Sequence, residues 1–173
     1  MSLVLESPVP IAVRAQVLAL AVAGPTLIGA ILAIRSGTPA PLVAVPAVVF
    51  GVVGATSPAL YIASAATGTA PSLSVVVRAF ATALGAFGIA LAGLLLPAAF
   101  LSLSSIEPQT TFAVATAALG GAAVLALRRL ARELSTDSIK PSWTASAVYL
   151  VWAGATLGIA ASLWWDLSRE VMS

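Results

Sequence analysis

The sequence contains no cysteine and no histidine, and only 8% of its 173 residues are charged. Each shortage removes a class of chemistry. Without Cys there is neither a disulfide nor a thiol nucleophile, and without Cys or His the common zinc ligands and the usual axial ligands of haem are missing. No serine has a histidine to take its proton, and no pair of carboxylates sits within an apolar run for acid and base work. No Asp, Glu, Lys or Arg falls in the middle third of any long apolar run. That argues against proton- or ion-coupled transport, which needs an ionisable group at membrane depth. The reading is of a protein that is not an enzyme and has no cofactor and no metal site.

What the chain has in abundance is hydrocarbon. Hydrophobic residues make up 60% of it and the mean hydropathy is +1.08, whereas a soluble domain carries about 25% charged residues. Apolar runs of spanning length cover about 17–34, 42–66, 75–101, 112–134 and 143–165, which predicts an all-α, polytopic integral membrane helical bundle forming a single transmembrane domain over 1–173. The net charge of +2 does not point to nucleic acid, because the eight Lys and Arg mostly flank apolar runs. The first run is longer than the roughly 7–15 residues of a signal-peptide core and is followed by Arg35, so it reads as an uncleaved span. Residues 1–16, with Glu6, Pro8, Pro10 and Arg14, read as an interfacial arm.

The second run needs separate treatment. Straight, it would extend about 37 Å, more than a hydrocarbon core of about 30 Å, and Pro58 removes a donor in its interior. Two arrangements follow: a tilted or kinked fifth member of the bundle, or four spans plus a re-entrant second segment turning near Thr56. Pro25 and Pro97 are expected to bend the first and third spans as Pro58 bends the second. Small residues four apart mark close helix contacts at Gly29 and Ala33, Ala81 and Gly85, Gly88 and Ala92, and Gly154 and Gly158. The third span, with two such pairs, reads as the central helix. For the last pair, packing within the chain is favoured over a homo-oligomer. Serines of the 67–74 loop are expected to cap the third span, and Thr110 or Thr111 the fourth.

Weakly polar groups fall in two helical stripes. Ser57, Tyr61, Ser64 and Gly68 share one face of the second span, and Ser142, Ser146, Tyr149, Ala153, Thr156 and Ala160 alternate at i+3 and i+4 in the last. Ser57, Tyr61, Ser64, Tyr149 and Thr156 are therefore candidates to line a small polar cavity. The plainer reading, interhelical hydrogen bonds of about 0.6 kcal/mol each, is favoured. Arg128, Arg129, Arg132 and Lys140 form the one cationic cluster, read first as a topology determinant and second as a patch for anionic lipid or an acidic partner. Trp143 and Trp164, about 32 Å apart along a helix, match two interfacial belts, with Trp152 as a packing residue.

With five spans, Arg14, Arg78, Arg128, Arg129, Arg132 and Lys140 share one side and Arg35 and Arg169 the other. The positive-inside rule then places the amino terminus and fourth loop in the cytoplasm and the carboxyl terminus outside. The Ala-, Val-, Leu- and Gly-rich composition has a bacterial character, suggesting an inner membrane. The functional expectation is a non-catalytic accessory or scaffold subunit that packs against membrane lipids and other membrane proteins or copies of itself. The alternative is a passive transporter or channel subunit for a small uncharged solute or lipid.

Overall fold

A computed structural model describes residues 11–105, 107–136 and 143–172. They form five helices: α1 (Ile11–Ser36), α2 (Ala40–Ala66), α3 (Leu73–Ser104), α4 (Pro108–Thr136) and α5 (Trp143–Met172). Each contains a stretch long and apolar enough to cross a membrane. In hydrocarbon every backbone N–H and C=O must be satisfied within its own segment, so apolar runs of this length become helices. The protein is an integral membrane helical bundle.

The helix ends follow local chemistry. Gly37 and Gly68 adopt φ of +71° and +68° just past α1 and α2, the left-handed conformation that glycine takes without steric cost. At Gly68 its N–H donates to Ala65 and that of Thr69 to Ser64, a Schellman closure. Gly68 thus belongs to a cap and not to the polar face of α2. Two capping expectations are also corrected. The Ser72 hydroxyl pairs with that of Ser74 at 3.1 Å and makes no cap bond to α3. Pro108 opens α4 where its missing N–H costs nothing, so Thr110 and Thr111 lie inside the helix, and the buried Thr111 hydroxyl donates across to the Ser102 carbonyl of α3. Residues 11–16 already belong to α1; the rest of the expected arm lies outside the described residues.

The structure decides between the two arrangements of the second run. α2 is continuous over 27 residues through Pro46 and Pro58. Its neighbours agree, because α1 and α3 are parallel: contacts advance together from Leu20 and Ala21 beside Gly88, through Gly24 beside Leu91, to Arg35 beside Ser105. A re-entrant α2 would have left α1 and α3 antiparallel. The re-entrant alternative is therefore excluded. α1 and α3 likewise pass through Pro25 and Pro97 without ending.

α3 packs along α4 over the longest contact, α1 lies against both α2 and α3, and α5 rests chiefly on α2. α1 packs extensively against both α2 and α3 and also meets α4 and α5, so it shares with α3 the central place expected of α3. Two glycines set these distances. A Cβ on Gly29 would lie 2.5 Å from the Pro41 carbonyl oxygen, and one on Gly88 would lie 2.5 Å from the Ala21 nitrogen. Backbone therefore touches backbone at α1/α2 and at α1/α3, where lipid supplies no hydrophobic drive and van der Waals contact carries the association. Gly85 is buried one turn before Gly88.

Gly29→Leu and Gly88→Leu each force two backbones apart and are expected to cost at least the roughly 1–3 kcal/mol of an overpacked core. Gly51→Leu, where an added side chain meets open space, is expected to leave stability within about 0.5 kcal/mol. Thermal unfolding of the three variants in mild detergent checks the contrast; equal melting temperatures for Gly88→Leu and Gly51→Leu would contradict it.

Candidate functional site

α5 lies on α2 but meets α4 only lightly. The contact between α4 and α5 is made by long side chains near two ends. At one end the Tyr149 hydroxyl donates to the Leu127 carbonyl at 2.6 Å. At the other the Trp164 ring stacks on Phe112, centroids 4.8 Å apart, and its Nε1–H donates to the Thr116 hydroxyl at 2.7 Å. Between these bridges both helices carry small residues, among them Gly120 and Ala123 on α4 and Thr156, Ala160 and Ala161 on α5. Small side chains on helices held apart by large ones leave a gap. The gap is a chamber of about 450 Å³ walled by α2, α3, α4 and α5, within the range of about 300–1,000 Å³ typical of small-molecule sites.

The chamber opens sideways. Its α2 and α3 walls, including Val52, Ala83 and Phe87, are buried or half-buried, while the lining residues that are exposed, Thr116, Gly120, Leu157, Ala161 and Trp165, all belong to α4 and α5. The mouth therefore lies between these two helices and faces the surroundings of the bundle. Trp152 closes the back, edge-on to Phe80 at 5.9 Å, with its Nε1–H on the Thr56 carbonyl at 2.8 Å. That carbonyl lies two residues before Pro58. The carbonyl that Pro58 deprives of its helical donor is that of Gly54, four residues back, so the Trp152 bond is not a product of the proline.

The expected polar cavity is found as an apolar one. Of Ser57, Tyr61, Ser64, Tyr149 and Thr156, only Thr156 lines the chamber. Ser57 and Ser64 donate to the carbonyls of Val53 and Leu60 in their own helix, Tyr61 is half-buried elsewhere on α2, and Tyr149 is spent on Leu127. A hydroxyl in a helix commonly turns back to the carbonyl four residues earlier, and Thr26, Thr56, Thr82, Thr116 and Ser135 do the same. Thr156 departs from this pattern: its Oγ1 is buried and has no hydrogen-bond partner among the described residues.

Other expected sites sit elsewhere. Gly154 and Gly158 are exposed, and a Cβ on either would meet nothing within 4 Å, so this pair does not pack against any of the described residues. Arg128, Arg129 and Arg132 are exposed on α4, with Arg129 paired to Glu133 at 2.8 Å; Lys140 and Ser142 lie outside the described residues. Trp143 is 83% exposed. Trp164 is a structural bridge more than a belt anchor. The bridging pair Thr116 and Trp164 was not singled out from sequence, and the helical spacing of Phe112 and Thr116 on one face of α4 is the signal that could have found it. Arg35 was read as a flanking charge, yet it donates to the Ser105 carbonyl at the end of α3 at 2.9 Å. No family model, curated protein or solved structure matches this chain.

A double-mutant cycle on Trp164→Phe and Thr116→Val is expected to give a coupling of about 0.6 kcal/mol and no more than about 1.7 kcal/mol, the range for hydrogen bonds inside membranes. Strict additivity of the two stabilities in unfolding measurements would show the bond to be idle.

Proposed function

We propose that the protein is a non-catalytic component of the membrane that acts by helix association, with α5 as the contact helix. One observation carries this reading: Gly154 and Gly158 face outward with none of the described residues against them. At about 100° per residue these glycines lie opposite Thr156, so α5 turns one face to the chamber and the other to the lipid. A glycine pair four apart on an outward face lets a second helix approach to backbone contact, which lipid tails cannot match. Ala155 and Ser162 extend the small face, and α5 is the least covered of the five spans. The occupant is a transmembrane helix, from a second copy or from another membrane protein. The charge distribution supports an amino terminus and fourth loop in the cytoplasm and a carboxyl terminus outside, in an inner membrane of bacterial type.

Because the chain lacks cysteine, Ala155→Cys gives a single thiol on the proposed face. Oxidation in native membranes is expected to trap a disulfide-linked dimer, or a mixed adduct with a larger protein. Val43→Cys, on an exposed face of α2, is expected to trap neither. Gly154→Leu with Gly158→Leu is expected to weaken association at least about tenfold, or about 1.4 kcal/mol, without lowering the melting temperature. Association unchanged by both substitutions refutes the reading. A reporter before Met1 is expected to be cytoplasmic and one after Ser173 external.

A further inference from the structure

The chamber between α4 and α5 is independent of the outward glycine face and carries its own inference. Its polar groups are already committed. Trp152 donates to the Thr56 carbonyl, Trp164 to Thr116, and Thr116 to the Phe112 carbonyl. The Thr156 Oγ1 is buried out of reach of the open space, and the Trp165 indole, 60% exposed, stands at the outer lip. Inside that lip a guest therefore finds no donor or acceptor to replace its hydration, which excludes sugars, ions and other polar solutes from the interior. Water is excluded on the same ground, since apolar cavities without two or more polar partners stay dry. A dry empty space forfeits the dispersion contacts of its lining, so the chamber favours an apolar guest.

Its shape narrows the guest further. The wall on α4 runs from Thr116 to Leu130, about 21 Å of helix. Spread over that height, about 450 Å³ leaves on the order of 20 Å² of cross-section, tall and narrow. The mouth runs along the helices between the Tyr149 and Trp164 bridges, parallel to the chains of a surrounding bilayer, and is flanked by the small or medium Thr116, Gly120, Leu157 and Ala161, with Trp165 at one end. A globular guest would have to part the bridges; an extended chain can enter sideways between them. No lining residue is charged; the Arg169 guanidinium, 5.9 Å from the Trp165 ring centroid, is exposed beyond the lining.

We propose that the chamber is a lateral binding site for one hydrocarbon chain of a bilayer phospholipid, which enters between α4 and α5 and lies against Trp152 while its headgroup stays outside the bundle. Trp152 is 8% exposed at the back of the chamber, so a lipid that merely surrounds the protein does not reach it.

The test uses the full chain with its four tryptophans in place and, for subtraction, the same chain with Trp152→Phe, the difference being the Trp152 emission, in phosphatidylcholine vesicles containing increasing fractions of phosphatidylcholine brominated at mid-chain. Bromine quenches indole on contact. Trp152 fluorescence is expected to fall by at least half and to saturate well before the brominated lipid becomes the majority. Ala123→Phe, which fills the chamber, and Gly120→Leu, which narrows its mouth where an added side chain meets open space, are each expected to restore most of the emission. Thr156→Val is expected to leave quenching unchanged, because the hydroxyl makes no contact with the chain. Far-UV circular dichroism confirms that each variant is helical, and two filling variants guard against one failing to fold. Absence of quenching in the parent, or equal quenching in parent and both filled variants, overturns the proposal. Loss of quenching in Thr156→Val overturns the hydrocarbon assignment in favour of a guest that hydrogen-bonds. Stronger quenching by free dibromostearic acid at equal chain fraction in unbrominated vesicles overturns the phospholipid source.

Discussion

Everything in this bundle depends on how closely α1 can be approached. In hydrocarbon, moving an apolar side chain from lipid to protein gains little, so helices stay together only where their surfaces meet over many short contacts. Gly29 opens α1 to the start of α2, and Gly88 opens α3 to α1, each at a distance where one added methyl would collide with backbone. Leu91, fully buried, fills the shallow space over Gly24. With α1 held on two sides, α3 presents its other face to α4. The Arg35 guanidinium on the Ser105 carbonyl then ties the matching ends of the parallel pair, a cation at a helix carboxyl end where the macrodipole favours it.

α5 is held by a different principle. It lies directly on α2, but toward α4 its attachments are long aromatic side chains, Tyr149 and Trp164. Such rings act as spacers as well as tethers. They keep α5 away from α4 while the small residues between them fill nothing, and the chamber is the consequence. Resting on α2 and kept off α4, α5 leaves its outer face uncovered, so the same helix carries both the open glycine pair and one wall of the chamber. The proposed association and the proposed lipid site are thus two results of one packing mode, on opposite faces of one helix.

Much of this was legible in the residues. Apolar run length and the scarcity of charge specify five membrane helices, because the bilayer permits no other backbone solution, and Gly29 and Gly88 could be picked out by their spacing from small partners. The polar stripe on α2 was legible as a pattern but misleading as a site. Ser57 and Ser64 are on a helical face, yet a hydroxyl can satisfy itself on its own helix, and spacing along the chain does not reveal whether it does. Trp164 resembled a belt anchor because an indole near a helix end is usually placed by the headgroups. That Thr116 of α4 waits opposite it depends on the distance between two helices, which no local pattern encodes.

The sequence by itself determined the class of molecule: an α-helical membrane bundle of five spans, without histidine or cysteine chemistry. It did so because backbone hydrogen bonding and transfer from water act on each segment separately. Tertiary structure alone decided that α2 is one continuous helix beside the parallel α1 and α3, that Gly88 is spent within the chain while Gly154 and Gly158 remain open, and that the cavity is apolar. These are properties of the separation between helices. That separation is set jointly by side chains far apart in the sequence, a large ring on one helix and a small residue on another, so neither span taken alone contains it.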